Sequence, residues 1–412
     1  MRIRIYKNQI GIGIISLFLL AYLMSPVSVV GFYFPFAVMC IWLLWCIVKH
    51  PHVVIKILFK DKFLFAYIYP LFLMAYYITG RTLLSKFLTS ILLVNTCFLF
   101  LVFYELNWKQ LNVKLAEIIV MFLIIINFYT IFRLLINPLI SRMLANSGYW
   151  ETLEPLEVPF IGGFMHIYSL CMLVVCIVKK FLKSEKNSVK LLYLLFIITS
   201  LVTIVLSRYT YALLLTILFL GMLFLEPFFK RKYWWLLPIV VIIILLLIIY
   251  MEDIIDLIIR LVGSSSYVGH NIMNLKRFLT GGSVIIDSDA YKRIYTYTVS
   301  IETWLRHFWW GIGYSGYRGM GKDGVGGHSE ILDSLAQYGL IGTACFVFMI
   351  IAMAIILLKR IDRKFYFLFI IIVVEYICEL IVNPGFSMTQ FTTVFMIIPS
   401  VLSTTGLEEV KK

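Results

Sequence analysis

The chain has 412 residues, 62% of them hydrophobic and only 14% charged. No soluble domain of this length needs so much apolar content, so the composition excludes a soluble globular protein and points to a polytopic membrane protein. The formal net charge of +14 reads as membrane topology rather than nucleic-acid binding, because cytoplasmic loops collect Lys and Arg.

Apolar runs of about 17 to 24 residues, long enough to cross a ~30 Å hydrocarbon core, recur along the chain. They lie near 10–27, 29–48, 63–80, 86–104, 115–136, 160–178, 189–206, 209–225, 235–251, 334–357, 365–382 and 388–404. The expectation is an all-α polytopic membrane protein of about 12 transmembrane helices. Helices one to nine fall within 1–251, one large extracytoplasmic loop within 252–333, and the last three helices within 334–412. The first run follows MRIRIYK without a small-residue cleavage site and reads as a retained helix rather than a signal peptide. Both termini are expected in the cytoplasm, which puts most of the 36 Lys and Arg on the inner side. The short outer connections then hold only Arg81, Lys86, Arg133, Arg142 and Arg208. The polar, proline-bearing connection 137–159 reads as a solvated link rather than a cap over a cavity. The seven cysteines all lie in apolar runs without a CxxC, so neither a disulfide framework nor a metal site is indicated.

Arg208, in the stretch LSRYTYA, sits between two apolar runs separated by about two residues. So short a turn cannot lift a guanidinium clear of the bilayer, which makes Arg208 a functional candidate beside the alternative of a snorkelling interfacial residue. The large loop carries two amphipathic pieces, 252–262 and 291–310. In the second, Ile294, Tyr297, Ile301, Leu305 and Phe308 recur at three- and four-residue spacing, with Trp304, Trp309 and Trp310 alongside. This predicts a helix lying in the membrane interface, with Arg293 and Arg306 on its polar side. The glycine-rich segment 311–327 lacks the GxxxxGK[ST] pattern, and a close backbone approach or mobile lid suits it better than a nucleotide site.

His328 follows that segment at the mouth of the next span. Ser329 is the expected N-cap, with Glu330 and Asp333 at the positive end of the helix dipole. That dipole disfavours imidazolium, leaving His328 able to accept a proton from a hydroxyl nucleophile. Glu330 can orient the imidazole only if His328 precedes the helix. Glu375 and Glu379, one turn apart inside an apolar run, are suited to pairing an arginine, to binding sugar hydroxyls or to carrying protons. The remaining histidines, His50, His52, His166, His270 and His307, show no constellation.

These residues resemble the bacterial O-antigen polymerase and O-antigen ligase family, which includes capsular polysaccharide polymerases. The resemblance is carried by Ser207-Arg208, Arg293, Gly311-Ile312-Gly313, His328-Ser329-Glu330 and Gly339-Leu340-Ile341-Gly342, over roughly 190–345. Ser329 departs from the Asn often found there. The resemblance implies transfer of a glycan from undecaprenyl diphosphate to an acceptor hydroxyl on the outer face of the bacterial cytoplasmic membrane, without metal, nucleotide or other cofactor. It implies His328 as the catalytic base and Arg208 and Arg293, with Arg306 and Glu330, around the diphosphate and substrate. The expected product is polysaccharide built from lipid-linked repeat units. The rivals are a ligase acting on lipid A–core or protein and, in a different class, a flippase or secondary transporter using Glu375 and Glu379. Expected partners are undecaprenyl-diphosphate-linked oligosaccharide, membrane lipids, and chain-length regulator and flippase proteins, with no nucleic acid.

Overall fold

The computed structural model describes residues 7–24, 33–144, 161–184, 187–225, 289–313 and 323–403, with isolated residues between 256 and 276. The expected span 235–251, most of the connection 137–159, nearly all of the amphipathic piece 252–262, and the middle of the glycine-rich segment lie outside the described residues. Among the described residues the regular structure is helical. In chain order we label α1 (Lys7–Met24), α2 (Tyr33–Lys49), α3 (Ile68–Ile78), α4 (Leu84–Glu105), α5 (Lys109–Ile136) and α6 (Phe164–Lys183). There follow α7 (Asn187–Leu206), α8 (Thr210–Leu225), α9 (Asp289–Arg306), α10 (Glu330–Leu358), α11 (Tyr366–Val382) and α12 (Met388–Thr392), the last continuing as a helix to Leu402.

Described helices fall on each expected span except 235–251, and six reach full crossing length and apolarity: α4, α5, α6, α7, α10 and Arg363–Val382. A seventh crossing forms if Tyr33–Lys49 and Pro51–Lys60, bent by 107° at their junction, count as one. That bend follows from Pro51, which starts a new helical turn after His50. The remaining apolar helices are shorter, so crossing length is shown for six or seven of the expected dozen. The chain is an integral membrane protein.

Several helices stop on left-handed residues. At the end of α3, Gly80 (φ +71) lets Arg81 N–H donate to Tyr76 O at 2.8 Å and Gly80 N–H to Tyr77 O at 2.9 Å. This six-to-one closure satisfies carbonyls that a helix end leaves orphaned. Asn107 (φ +57) does the same for α4, with Trp108 N–H donating to Phe103 O at 2.8 Å. After α7 the same position is held by Arg208 (φ +58), whose N–H donates to Val205 O at 3.3 Å.

The long helix α10 is broken at Gly339 (φ 67, ψ −171), and the break is where another segment crosses it. Residues 308–313, leaving α9, lie across the gap and exchange backbone hydrogen bonds with both halves. Leu340 N–H donates to Phe308 O at 2.8 Å, Ile312 N–H to Ala336 O at 3.0 Å, and Gly313 N–H to Gln337 O at 2.7 Å. The Tyr76 hydroxyl, from α3, donates to Trp310 O. A Cβ on Gly339 would collide with the Trp309 carbonyl, and one on Gly311 (φ +64) with the Gln337 carbonyl. Two glycines therefore face one another across touching backbones, and no other residue fits either place.

The far end of α10 is fastened separately. Arg360, 8% exposed, donates to Asp61 and, at 3.2 Å, to Glu105 Oε1, while Lys56 also pairs with Glu105. A 29-residue helix is ~43 Å long before bending. His328 and this clasp thus lie at opposite ends of a membrane-length element.

Gly339→Ala should destabilise the protein by more than the ~1–2 kcal/mol that a left-handed conformation costs an L-residue, since the backbone collision is added. Gly221→Ala, in α8 with nothing within 4 Å, is the control expected to be neutral or stabilising. Thermal unfolding in detergent compares the two; equal melting temperatures would contradict the crossing.

Candidate functional site

The apolar stripe expected to define α9 packs on the protein only at its start, where Ile294 and Tyr297 are half-buried. Ile301, Leu305 and Phe308 are exposed, as are Trp309 and Trp310, a surface suited to acyl chains and headgroups. The opposing stripe is polar: Arg293, Thr296, Ser300, Thr303 and His307 follow one another at alternating three- and four-residue steps. Ser300 and Thr303 are fully buried.

Residues 323–327 run antiparallel along this stripe and are bonded to it by their backbone. Gly324 N–H donates to Thr303 Oγ1 at 2.9 Å, and Gly326 N–H donates to Ser300 Oγ at 2.8 Å. A Cβ at Gly326 would collide with the Thr296 carbonyl, so the close approach needs glycine. At the outer end Asp323 pairs with Arg306 Nε at 2.8 Å and with His307 Nε2 at 3.0 Å. His307, to which the sequence assigned no role, is thus half of a clasp.

The strip ends at His328. Ser329 caps α10 as expected, accepting from Leu332 N–H at 3.2 Å. Asp333, one turn into the helix, ties the region together. It accepts from Ser300 Oγ at 2.6 Å and from Ser329 N–H at 3.3 Å, and lies in electrostatic reach of His328. His328 therefore precedes the helix, and a carboxylate stands close enough to favour an imidazolium formed on it. The expected orienting acid, Glu330, is directed elsewhere: its carboxylate accepts from Phe386 N–H at 3.4 Å and its own N–H donates to Asn383 O at 3.1 Å.

Arg293 reaches the same place from α9. Its Nη1 donates to Asn383 Oδ1 at 3.1 Å and to Val382 O at 3.4 Å, and Tyr297 donates to Val382 O at 2.7 Å. Burial pushes the Tyr297 hydroxyl above its ordinary value, with the Arg293 charge opposing the shift. Asn383, in the loop after α11, thus links Arg293 to the backbone of Glu330, two residues after His328. That loop is anchored by Phe386, whose ring lies 4.9 Å from Phe346 and 6.0 Å from Tyr69.

Arg208 stands in the turn between α7 and α8, and no contact joins its side chain to Arg293 or His328 among the described residues. Its carbonyl accepts from Arg142 Nη2 at 3.1 Å, and Arg142 also stacks over Tyr209 at 5.4 Å. The Tyr209 hydroxyl donates to Ser141 O at 2.9 Å. The Arg208 side chain is exposed. Three residues on, Tyr211 lies 6.3 Å from the Tyr168 ring, and both tyrosines are in electrostatic reach of Arg293. Arg306, by contrast, is engaged by Asp323 and stands 13 residues beyond Arg293, ~20 Å along the helix. It belongs to the clasp rather than to the Arg293 cluster.

Beneath the cluster, Glu379 accepts from Gln390 and both oxygens of Glu375 are buried without a hydrogen-bond partner. Neither acid is paired with an arginine among the described residues, and Asn383 continues their line one turn further. The sequence showed that line as polar residues at 375, 379 and 383 followed by Pro384-Gly385, a turn signal from which Asn383 was not singled out.

Residues 191–347 match a family model described as O-antigen ligase. Over this segment the chain is similar to the O-antigen ligase and polymerase family. No curated protein matches the chain. The O-antigen ligase segment spans α7, α8, α9 and the broken first half of α10, and so contains Arg208, Arg293, His328 and both crossing glycines. Asn383, Arg142 and Tyr168 lie outside it.

The hydrogen bond from His307 and the Arg306 charge hold the Asp323 carboxyl below its ordinary value of 3.8. A depressed carboxylate contributes stability that is present above its unfolded value and lost as pH falls through the folded one. Amide exchange at Gly324 and Gly326, corrected for intrinsic rate, should therefore be flat above about pH 5 and accelerate below about pH 4. Asp323→Asn should show the faster exchange at every pH.

Proposed function

We propose that this protein is a polysaccharide polymerase of the O-antigen ligase and polymerase family. It transfers a glycan from undecaprenyl diphosphate to a hydroxyl of a lipid-linked repeat unit at the outer face of the cytoplasmic membrane. The observation that carries the proposal is that Asn383 bonds both Arg293 and the first turn of the helix whose mouth His328 occupies. His328 takes the proton of the acceptor hydroxyl as that oxygen bonds to the donor sugar. The bond from sugar carbon to diphosphate oxygen breaks, and Arg293 and Arg208 take the charge that develops on the leaving diphosphate. Arginine suits this work because its charge is fixed and its fork binds phosphate oxygens in pairs. Asp333 favours the imidazolium.

Arg208 supports the reading in a second way. It occupies a helix-terminal position that favours glycine, and a residue kept against backbone preference is a mark of function. A ligase has the same machinery with a different acceptor, and the product distinguishes them.

The test is reaction of purified protein with defined lipid-linked repeats. Wild type should yield polymer, and His328→Ala should lower turnover by at least ~100-fold, the usual contribution of a general base. Normal polymer from that variant would remove His328 from the chemistry. Passage of unreacted repeats across a liposome membrane would instead support the transporter. Arg208→Gly should abolish most activity while leaving thermal stability unchanged or higher. Relief of the left-handed strain, ~1–2 kcal/mol, outweighs the ~0.4–1 kcal/mol of added unfolded-state freedom. Retained activity with raised stability would make Arg208 a structural remnant.

A further inference from the structure

Asn383 is 1% exposed and sits where three elements converge. Its backbone carbonyl receives Glu330 N–H at the start of α10, and its own N–H donates to Glu379 O at 2.7 Å, closing α11. Its side-chain oxygen receives Arg293 Nη1 at 3.1 Å. The assignment of that atom as oxygen follows from chemistry, since a guanidinium only donates. The other side-chain atom, Nδ2, is therefore a donor, and it is buried without a well-aligned hydrogen-bond partner among the described residues. The Tyr168 hydroxyl lies within hydrogen-bonding reach of the same amide and can accept from one of its two N–H groups, which leaves the other without a partner. Burying an amide N–H unsatisfied costs about as much as a lost hydrogen bond, so a buried donor beside a guanidinium suits an anion that both can reach.

We infer that Asn383 contacts the donor substrate: Oδ1 aims the Arg293 guanidinium while Nδ2 donates to a phosphate oxygen of the polyprenyl diphosphate. The inference rests on the transferase reading above and adds to it a residue outside the segment 191–347 matched by the family. Asn383 also couples the two halves of the site, because the backbone that fixes Arg293 through its side chain fixes the His328 end of α10 through its carbonyl.

Asn383→Asp separates the two possible roles. A carboxylate of the same shape accepts from Arg293 at least as well as the amide, so a residue that only braces the arginine would tolerate the change. A residue that donates to phosphate would not, because the donor is replaced by a like charge. Binding of a polyprenyl diphosphate is measured to the full-length protein in phosphatidylcholine nanodiscs, with inorganic diphosphate and phosphatidylglycerol as competitors. Asn383→Asp should weaken binding roughly ten- to a hundredfold, the range for loss of a hydrogen bond to a charged group. In turnover assays the same variant should raise KM for the donor more than it lowers kcat. Asn383→Ala, without the repulsion, should weaken binding less, and it serves if the Asp variant fails to fold. His328→Ala should bind as wild type. Wild-type affinity in both Asn383 variants overturns the inference and leaves the transferase reading standing. Absence of binding by wild type overturns both. Equal displacement by phosphatidylglycerol makes the site a general lipid-phosphate contact and overturns the assignment to the diphosphate donor.

Discussion

The geometry of this protein depends on two peptide backbones passing closer than side chains permit. Residues 308–313 cross α10 at its break, and Gly311 and Gly339 are the points of contact. The crossing does two jobs at once. It satisfies N–H and C=O groups that the broken helix would leave bare inside the protein, where each unsatisfied group costs several kcal/mol. It also fixes α9 against α10, so that the polar stripe of α9 has a defined height relative to His328. Every distance in the site, from Asp323 to Asn383, is measured from that joint.

On that frame the chain builds its site from weak, numerous bonds rather than from buried charges. The strip 323–327 is attached through the hydroxyls of Ser300 and Thr303, and Asp333 gathers Ser300, Ser329 and His328. Each bond contributes about 1 kcal/mol, yet together they select one path for the backbone leading to the histidine. The charged groups at this end are paired at the margins, as in Asp323 with Arg306 and His307. Arg293 is held by neutral oxygens only, which leaves its charge uncompensated for an anionic ligand.

The sequence made the span positions legible because hydrophobic run length is a strong signal, and His328, Ser329 and Arg293 stood out as polar residues in an apolar chain. Arg208 was visible for the same reason, although its left-handed backbone was not. The hydrophobic period of α9 identified a helix with two faces and suited it to the membrane interface, and the exposed Ile301, Leu305 and Phe308 fit that expectation. What the period did not show is that the polar face would carry the backbone of residues 323–327. Arg306 looked equivalent to Arg293 because both are cations on one helix; 13 residues of separation put them at different ends of it. Asn383 was illegible because its position is set by contacts to Arg293 and Glu330, far away in sequence, which no local pattern encodes. Whether Glu330 orients the histidine was left open by the sequence for a related reason: its partner, the Phe386 amide, lies on a loop whose position only the folded chain supplies.

The exposed rings of Phe308, Trp309 and Trp310 belong to residues whose carbonyls make the joint: those of Phe308 and Trp309 hold the break in α10, and that of Trp310 accepts from Tyr76. Aromatic side chains of this kind settle at the boundary between headgroups and hydrocarbon. The joint that sets the height of His328 is therefore also a float riding on the lipid surface. A thinner or thicker bilayer would press on these rings and, through three consecutive peptides, on the spacing between histidine and arginine. The alignment of His328 with Arg293 is in that sense a property of the chain and its surrounding membrane together.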